Sequence, residues 1–328
     1  MTTLAGPLHA VAEKKAFLFC CPYCHGTIHS SICASCGQVF KSTNGQMDFR
    51  LDREWKYMVP VTINGEIQKP RLGYLAPNPE KEVIYQSDKD FGVNPTLAGY
   101  FPKGNGRNAL SLGCGGATER KAIEQAGWRY YGVDWEPTAK GADIAYADAH
   151  ALPFVNESFG LVYSRAVLEH IQHPYVFAME AFRVLERGGT FVGSVAFLEP
   201  HHGGSFYHHS HLGIINTLQT AGFDVQIVAP QDHWNVITAQ MKMGFFPWIS
   251  KYLFYPVAWL LNTWSRILWG CFDVLEETVV GRLIKTGRKK SVSFGPRYKR
   301  TNRSVERLYN FAGSFTWVAK KPGSTRPS

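Results

Sequence analysis

The chain has 328 residues, 45% apolar content and a formal charge of +9. That suggests about two globular domains and excludes a disordered or fibrous chain. The charge is local: from Arg282 to Lys321 twelve Lys/Arg stand against Glu306 alone, so that segment carries +11 and the rest sums to −2.

Two cysteine pairs come first. Cys21-x2-Cys24 and Cys33-x2-Cys36 are separated by eight residues. Two thiolate pairs on tight turns close a tetrahedral site, for which zinc is the expected ion and free cysteines the alternative. Gly26 and Gly37 suit the turns such knuckles need. Four cysteines leave no open position for a water, so the expected role is structural rather than Lewis-acid catalysis. Cys20 is a spare neighbour. Residues 1–50 are read as a ribbon that folds the N-terminus, docks on the next domain or meets a partner. They are not densely basic, which weighs against RNA. The run Ala16–Cys21 is too short and too late for a secretion signal. Seven cysteines with four in metal spacing fit a reducing compartment, so a cytoplasmic setting is expected. Residues 51–107 are a connector punctuated by prolines and carrying Trp55, Tyr57, Tyr74, Tyr85 and Tyr100. It is expected to pack across the following domain without long helices.

Residues 108–134 read as an apolar strand, the turn Gly113-Cys114-Gly115-Gly116, a helix and a second strand ending in Asp134. A turn without side chains lets backbone close on a small charged molecule, and the following helix start favours an anionic group there. Asp134 stands where a carboxylate takes two ribose hydroxyls, so a nucleoside-type cofactor is expected. A dinucleotide site wants a third glycine where this chain has Thr118. The string instead resembles motif I of class I S-adenosylmethionine-dependent methyltransferases, an apolar strand followed by Gly-Cys-Gly-x-Gly. Two positions depart from it: the acid usual two residues before the first glycine is Ser111, and the last glycine is Ala117.

Four further segments match in order. Asp148-Ala149-His150-Ala151-Leu152-Pro153-Phe154 is similar to the family's Asp-Ala-x-x-Leu-Pro-Phe stretch, whose aspartate reaches the adenine amino group. Phe159–Ser164 with Leu168-Glu169-His170-Ile171 resembles the fourth strand and the helix entry beside the methionine moiety. Arg183–Gly189 resembles the approach to the fifth strand, and Ala221-Gly222-Phe223 the turn into the sixth. The resemblance is to the type 11 methyltransferase group. It implies that S-adenosyl-L-methionine is held by Ser111, Gly113, Cys114, Gly115, Gly116, Asp134, Trp135, Asp148, Ala149, Ser164 and His170. The cysteine module looks like the small zinc ribbon fused to or partnered with many such enzymes, Cys21, Cys24, Cys33 and Cys36 being its ligands and Asn44–Arg50 its usual ending. The resemblance also implies that part of the connector covers the cofactor.

The expected fold is α/β: a doubly wound, Rossmann-like seven-stranded methyltransferase sheet over 108–229 and 313–328. Strands are read at 108–112, 129–133, 143–146, 159–164, 190–196 and 223–228, with Ser314–Ala319 closing antiparallel. Residues 230–312 are a helical insertion. Large apolar and aromatic residues crowd Phe245–Phe272, but the charge-free stretch 252–265 is short of the ~20 residues that span a bilayer and contains Pro256. Three readings stand: helices capping a hydrophobic substrate pocket, an interfacial membrane anchor with the basic segment meeting anionic lipid over 245–303, or an oligomer interface. The first two share an apolar or lipid-like substrate.

His201, His202, His208, His209 and His211 follow the fifth strand at the end where ligands bind in open α/β sheets. Imidazole suits proton abstraction at neutral pH, and a base is needed only for a protonated nucleophile. His208 or His209 is the expected base, with Tyr207 beside it. His211 is read alternatively as the cap of a helix over 212–221, and the histidine spacing has no recognised metal-binding form. The activity expected is methyl transfer to O or C, or to N, of an apolar acceptor. The alternatives are an RNA methyltransferase that uses the ribbon and the basic segment, and a cofactor-binding scaffold without catalysis.

Overall fold

A computed structural model of the protein describes residues 18–52, 56–59, 95–200, 203–231, 234–245, 251–275 and 309–323. Residues 1–17, most of the connector, His201, His202 and the basic stretch up to residue 308 lie outside the described residues.

The N-terminal module holds β1 (Ile28–His29), β2 (Ile32–Cys33), β3 (Lys41–Thr43) and β4 (Gln46–Asp48). After α1 (Pro95–Ala98) come β5 (Asn108–Leu112), α2 (Arg120–Gln125), β6 (Arg129–Asp134), β7 (Ile144–Tyr146), β8 (Phe159–Arg165), α3 (Pro174–Val184), β9 (Leu185–Ala196), α4 (His211–Thr220) and β10 (Asp224–Pro230). The insertion gives α5 (Val236–Ala239), a π-turn over Gln240–Phe245 and α6 (Lys251–Leu275) before β11 (Ser314–Lys320).

The sheet order is β10-β11-β9-β8-β5-β6-β7-β4-β3, with β11 antiparallel between β9 and β10. The strand next to the glycine turn is central, with β5 lying parallel between β6 and β8. Its side chains alternate between two cores. Leu110 and Leu112 join Phe159, Val162, Phe177 and Phe191 on one face, and Ala109 joins Leu97, Ile123 and Trp128 on the other. Apolar residues on both faces are what a parallel strand covered by helices on each side requires.

The expected strands fall within a residue or two of the observed ones, except that β9 begins at Leu185 rather than 190. Among the described residues the sheet has nine strands, the seven expected and two more. The extra two are β3 and β4 of the cysteine module. Asp48 of β4 pairs with Tyr146 of β7 in parallel, and the Phe49 N–H bonds the Tyr146 carbonyl at 2.8 Å. The module's other side is tied by the Cys20 N–H to the Pro153 carbonyl (2.9 Å) and the Val155 N–H to the Leu18 carbonyl (3.1 Å). Phe19 stacks between Phe49 and Phe154 at 5.1 and 5.2 Å. The ribbon therefore continues the sheet and closes the exposed edge of β7.

Ser210, not His211, caps α4: its Oγ accepts the Gly213 N–H at 3.2 Å. The serine side chain is short enough to turn back onto the first free N–H, which an imidazole one residue later is not placed to do. The His211 ring packs on Tyr309 and Phe315 instead.

Candidate functional site

Gly113 and Gly115 have φ of +70° and +47°, a left-handed region that a glycine enters at little cost. At Gly113 a Cβ would also stand 2.2 Å from Val167 Cγ2, whereas beside Gly115 nothing lies within 4 Å. Ala117 takes the motif's last glycine position with φ of +53°. Asp134, at the end of β6, ties the turn from across the sheet. Its Oδ2 accepts the Gly115 N–H at 2.9 Å and its Oδ1 the Glu136 N–H at 3.0 Å, and each oxygen keeps a second lone pair. The Gly113 and Cys114 N–H groups both bond the Val133 carbonyl. Cys114 points inward, and a Cβ on Gly132 would meet its sulfur at 2.9 Å.

A second carboxylate lies under the turn. Glu119, 4% exposed, accepts Ser111 Oγ–H and Tyr130 O–H on the same oxygen, Oε1, each at 2.5 Å. Its Oε2 has no hydrogen-bond partner among the described residues. Burial pushes the Cys114 thiol pKa up, and the charges of Asp134 and Glu119 add to the effect, which places both acids beside the turn. Burial and then the Glu119 charge raise the Tyr130 phenol as well. The sequence leaves the motif's acid missing at Ser111, and the structure brings one from eight residues further on. The signal available for it was a lone acid at the helix start, with a hydroxyl on each of β5 and β6 to meet it. The anion-favouring helix start expected after the turn is not realised: α2 has only six residues, and Glu119 is its N-cap.

Asp148 and Ala149 follow β7. Asp148 Oδ1 accepts the His150 N–H (2.9 Å) and pairs with His150 Nδ1 (2.6 Å), while His150 Nε2 accepts the His173 N–H (3.2 Å). That chain puts the His150 proton on Nδ1. Burial opposes the charge on Asp148, but His150 outweighs it and holds the carboxyl below its usual range. Its Oδ2 has no partner among the described residues. Trp135 is half exposed at the rim of the turn, with the Arg50 guanidinium 5.5 Å from its ring centre. Arg50 also bonds the Trp135 carbonyl (3.3 Å), lies over Tyr146 and pairs with Asp48 at 2.6 Å. A residue of the cysteine module thus reaches the rim of the turn. Ser164, beside Leu112 in register, is fully buried and its Oγ has no hydrogen-bond partner among the described residues. His170 lies on the short 3-10 turn Leu168–His170, with its Nδ1 near Gly204.

His209 is the better placed of the two candidate bases, since His208 is exposed. The His209 N–H bonds the Ala196 carbonyl at the end of β9. Its ring bonds the Leu168 carbonyl, and Nε2 has no hydrogen-bond partner among the described residues. Burial lowers its pKa below the ordinary histidine value, and His208 adds to this against the Leu168 bond. A neutral ring with an acceptor nitrogen is the form a base needs. His209 and Tyr207, 5.6 Å apart ring to ring, line a cleft of about 300 Å³ with Tyr57, His173, Tyr175 and Thr217. Tyr57 belongs to the connector, so part of it does reach this region, its ring 5.1 Å from that of His173. No described residue of α6 lines the cleft. Turn and cleft are joined through one segment: Val167 abuts Gly113, and the next residue, Leu168, holds the His209 ring.

The four cysteines converge. Cys21, Cys24, Cys33 and Cys36 place their sulfurs within 4.8 Å of one another, with Cys24–Cys33 at 3.4 Å and Cys21–Cys36 at 3.7 Å. A tetrahedral ion with zinc–sulfur bonds of about 2.3 Å needs sulfur–sulfur edges of about 3.8 Å, so the donor set fits. N–H groups of Tyr23 and Cys24 bond the first sulfur, and those of Ser35 and Cys36 the third, as tight knuckles provide. A Cβ on Gly26 would meet Ser35 Oγ at 2.3 Å. Cys20 lies beside these four without being one of them.

Residues 110–193 match the family described as "Methyltransferase domain". An uncharacterized methyltransferase of Mycobacterium avium is 31% identical over 105 residues, covering 29% of this chain and 42% of the relative. A protein of Mycolicibacterium smegmatis named a probable S-adenosylmethionine-dependent methyltransferase is 28% identical over 140 residues, covering 37% of this chain and 53% of the relative. The chain spans about half the length of the curated relatives it matches. Among solved structures, phosphoethanolamine N-methyltransferase 2 of Haemonchus contortus with S-adenosyl-L-methionine is similar at 16% identity and a TM-score of 0.40, covering 69% of this chain and 51% of that one. The family match and the curated relatives make residues 110–193 an S-adenosylmethionine-dependent methyltransferase domain.

Proposed function

We propose that the protein transfers a methyl group from S-adenosyl-L-methionine to an apolar small-molecule or lipid-like acceptor at oxygen or carbon, with nitrogen the next choice. The observation that carries this reading is the pair of carboxylates, Asp134 and Glu119, on either side of a side-chain-free turn that shares the segment Val167–Leu168 with the His209 cleft. A doubly acidic turn suits a cationic cofactor and opposes a pyrophosphate.

S-adenosyl-L-methionine supplies a methyl on a positively charged sulfur that is already a good leaving group. Asp134, through its second lone pairs, would hold ribose hydroxyls, and Asp148 Oδ2 would accept from the adenine amino group. Glu119 takes over from Ser111 the negative charge that motif I places beside the turn. Gly113, Gly115 and Gly116 keep the approach open, and Ser164, Trp135 and His170 stand around it. His209 Nε2 removes the acceptor's proton, and the aromatic wall of Tyr57, Tyr175 and Tyr207 aligns the acceptor and excludes water. Zinc held by Cys21, Cys24, Cys33 and Cys36 serves the fold, not the reaction, because no coordination position is left for a water or a substrate.

The test is formation of S-adenosylhomocysteine with hydroxyl-bearing acceptors of increasing alkyl length. Rising kcat/KM with apolar length supports the reading. His209→Asn lowers kcat by about 10²-fold or more while S-adenosyl-L-methionine still binds. Turnover only with charged, water-soluble acceptors would overturn the acceptor class, and unchanged kcat in His209→Asn would remove the base.

A further inference from the structure

The described side chains of α6 meet the rest of the protein along a narrow stripe. Among them Ala258 is the buried one, packed with Met241 and Ile237. Asn262 reaches Thr238 at 3.5 Å, and Trp269 meets Phe311 edge-on at 6.1 Å. At about 100° per residue, positions 258, 262, 265 and 269 form one line along the helix. On the opposite side Val257, Leu260, Leu261, Trp264, Ile267 and Leu268 stand 43 to 59% exposed, within about a third of the circumference. Trp259 flanks them at 66%. A soluble helix turns its polar side outward, whereas this one does the reverse over about three turns.

We propose that this face of α6 lies in the plane of an anionic lipid surface. The length of the helix, 25 residues, is that of a spanning segment, yet no helix among the described residues is long and apolar enough to cross a membrane. A helix lying in the interface needs an apolar face with aromatic rings and nearby basic charge. The sequence that follows supplies the charge: from Arg282 to Arg303 there are nine Lys/Arg and no Asp or Glu. Such charge adds attraction to an anionic leaflet within a Debye length and gives none to an uncharged one. A second copy of this chain is disfavoured as the occupant, because it would bring the same positive segment to the same interface. The inference stands apart from the methyl-transfer reading, since no described residue of α6 lines the cleft.

The test is flotation of the full chain with vesicles of phosphatidylcholine alone, or of phosphatidylcholine with phosphatidylglycerol. The chain is expected to float with the mixed vesicles at low salt, less so at high salt, and weakly with phosphatidylcholine. Leu268→Glu lowers the floated fraction by about tenfold or more. Val39→Glu, on an exposed ribbon residue, leaves it unchanged. An unchanged melting temperature and unchanged S-adenosyl-L-methionine affinity in Leu268→Glu separate this result from failure of the fold or of the methyl-transfer reading. No flotation with anionic vesicles, flotation that Leu268→Glu does not reduce, or a stable dimer that Leu268→Glu dissociates would each overturn the proposal.

Discussion

The cysteine module and the α6 insertion are both additions to one sheet, and they are built in opposite ways. The module extends the sheet: β4 pairs with β7, backbone bonds tie Leu18, Cys20 and Phe49 to the domain, and Phe19, Phe49 and Phe154 stack. Its residues Leu18, Phe40 and Phe49 are buried in the core that it shares with the domain. The insertion adds no strand, and the described part of α6 turns most of its apolar side chains outward. An addition whose backbone polar groups and apolar surface are both satisfied within the chain serves the fold. One that leaves apolar surface unsatisfied is made for contact with something else.

The largest effect expected from this difference is at the ribbon. Removing zinc with a strong chelator, or Cys33→Ser, should lower the melting temperature of the whole domain by about 5 °C or more, because the edge of β7 and the Phe154 stack are exposed together. Scanning calorimetry checks it. Loss of the ribbon in a separate transition, with the main one unmoved, would break the contrast between the two additions.

Next comes the turn between them. Gly113→Ala meets both a positive φ and Val167, and should cost about 3 kcal/mol or more with loss of cofactor binding. Denaturant unfolding and calorimetry measure the two effects. Glu119→Gln keeps the side chain's shape and removes its charge, and should weaken S-adenosyl-L-methionine by about tenfold, or about 1.4 kcal/mol. An unchanged affinity would make Glu119 a packing residue only.

The pH dependence follows from His209. Burial lowers its pKa in the folded protein, so the neutral ring is favoured there. The acidic limb of kcat/KM should therefore lie below the ordinary histidine value of about 6.5. The associated stability is fully present above that value and is lost as pH falls through it toward the folded pKa. A limb above 6.5 would assign the base elsewhere. The smallest effect belongs to α6: Leu268→Glu should change folding stability by no more than about 0.5 kcal/mol, as an exposed position does.

Much of this was legible in the sequence because it depends on local pattern. The strand β5, the turn after it and Asp134 follow from apolar runs punctuated by glycine, and the two cysteine knuckles follow from spacing. What the sequence did not disclose depends on where distant segments meet. The joining of β4 to β7 rests on a single residue pair, Asp48 with Tyr146, and leaves no trace in either segment. Glu119 becomes a buried acid only because β5 and β6 bring Ser111 and Tyr130 to the same oxygen. His150 falls on an unspecified position of the Asp-Ala-x-x-Leu-Pro-Phe stretch, yet it engages the Asp148 carboxylate through both its N–H and its ring. Choosing between His208 and His209 needed burial, which alternation in a loop does not report. The Ser210 cap was readable, a serine before an apolar helical run, and was passed over for its neighbour.

The central claim is that the turn at Gly113–Gly116 with Asp134 and Glu119 holds a cationic adenosyl cofactor. Calorimetric titration of the full chain with S-adenosyl-L-methionine and, separately, with NAD tests it most directly. Saturable binding of S-adenosyl-L-methionine, weakened by about tenfold or more in Asp134→Asn, with no heat from NAD, is the result expected. Saturation by NAD with none by S-adenosyl-L-methionine would contradict it.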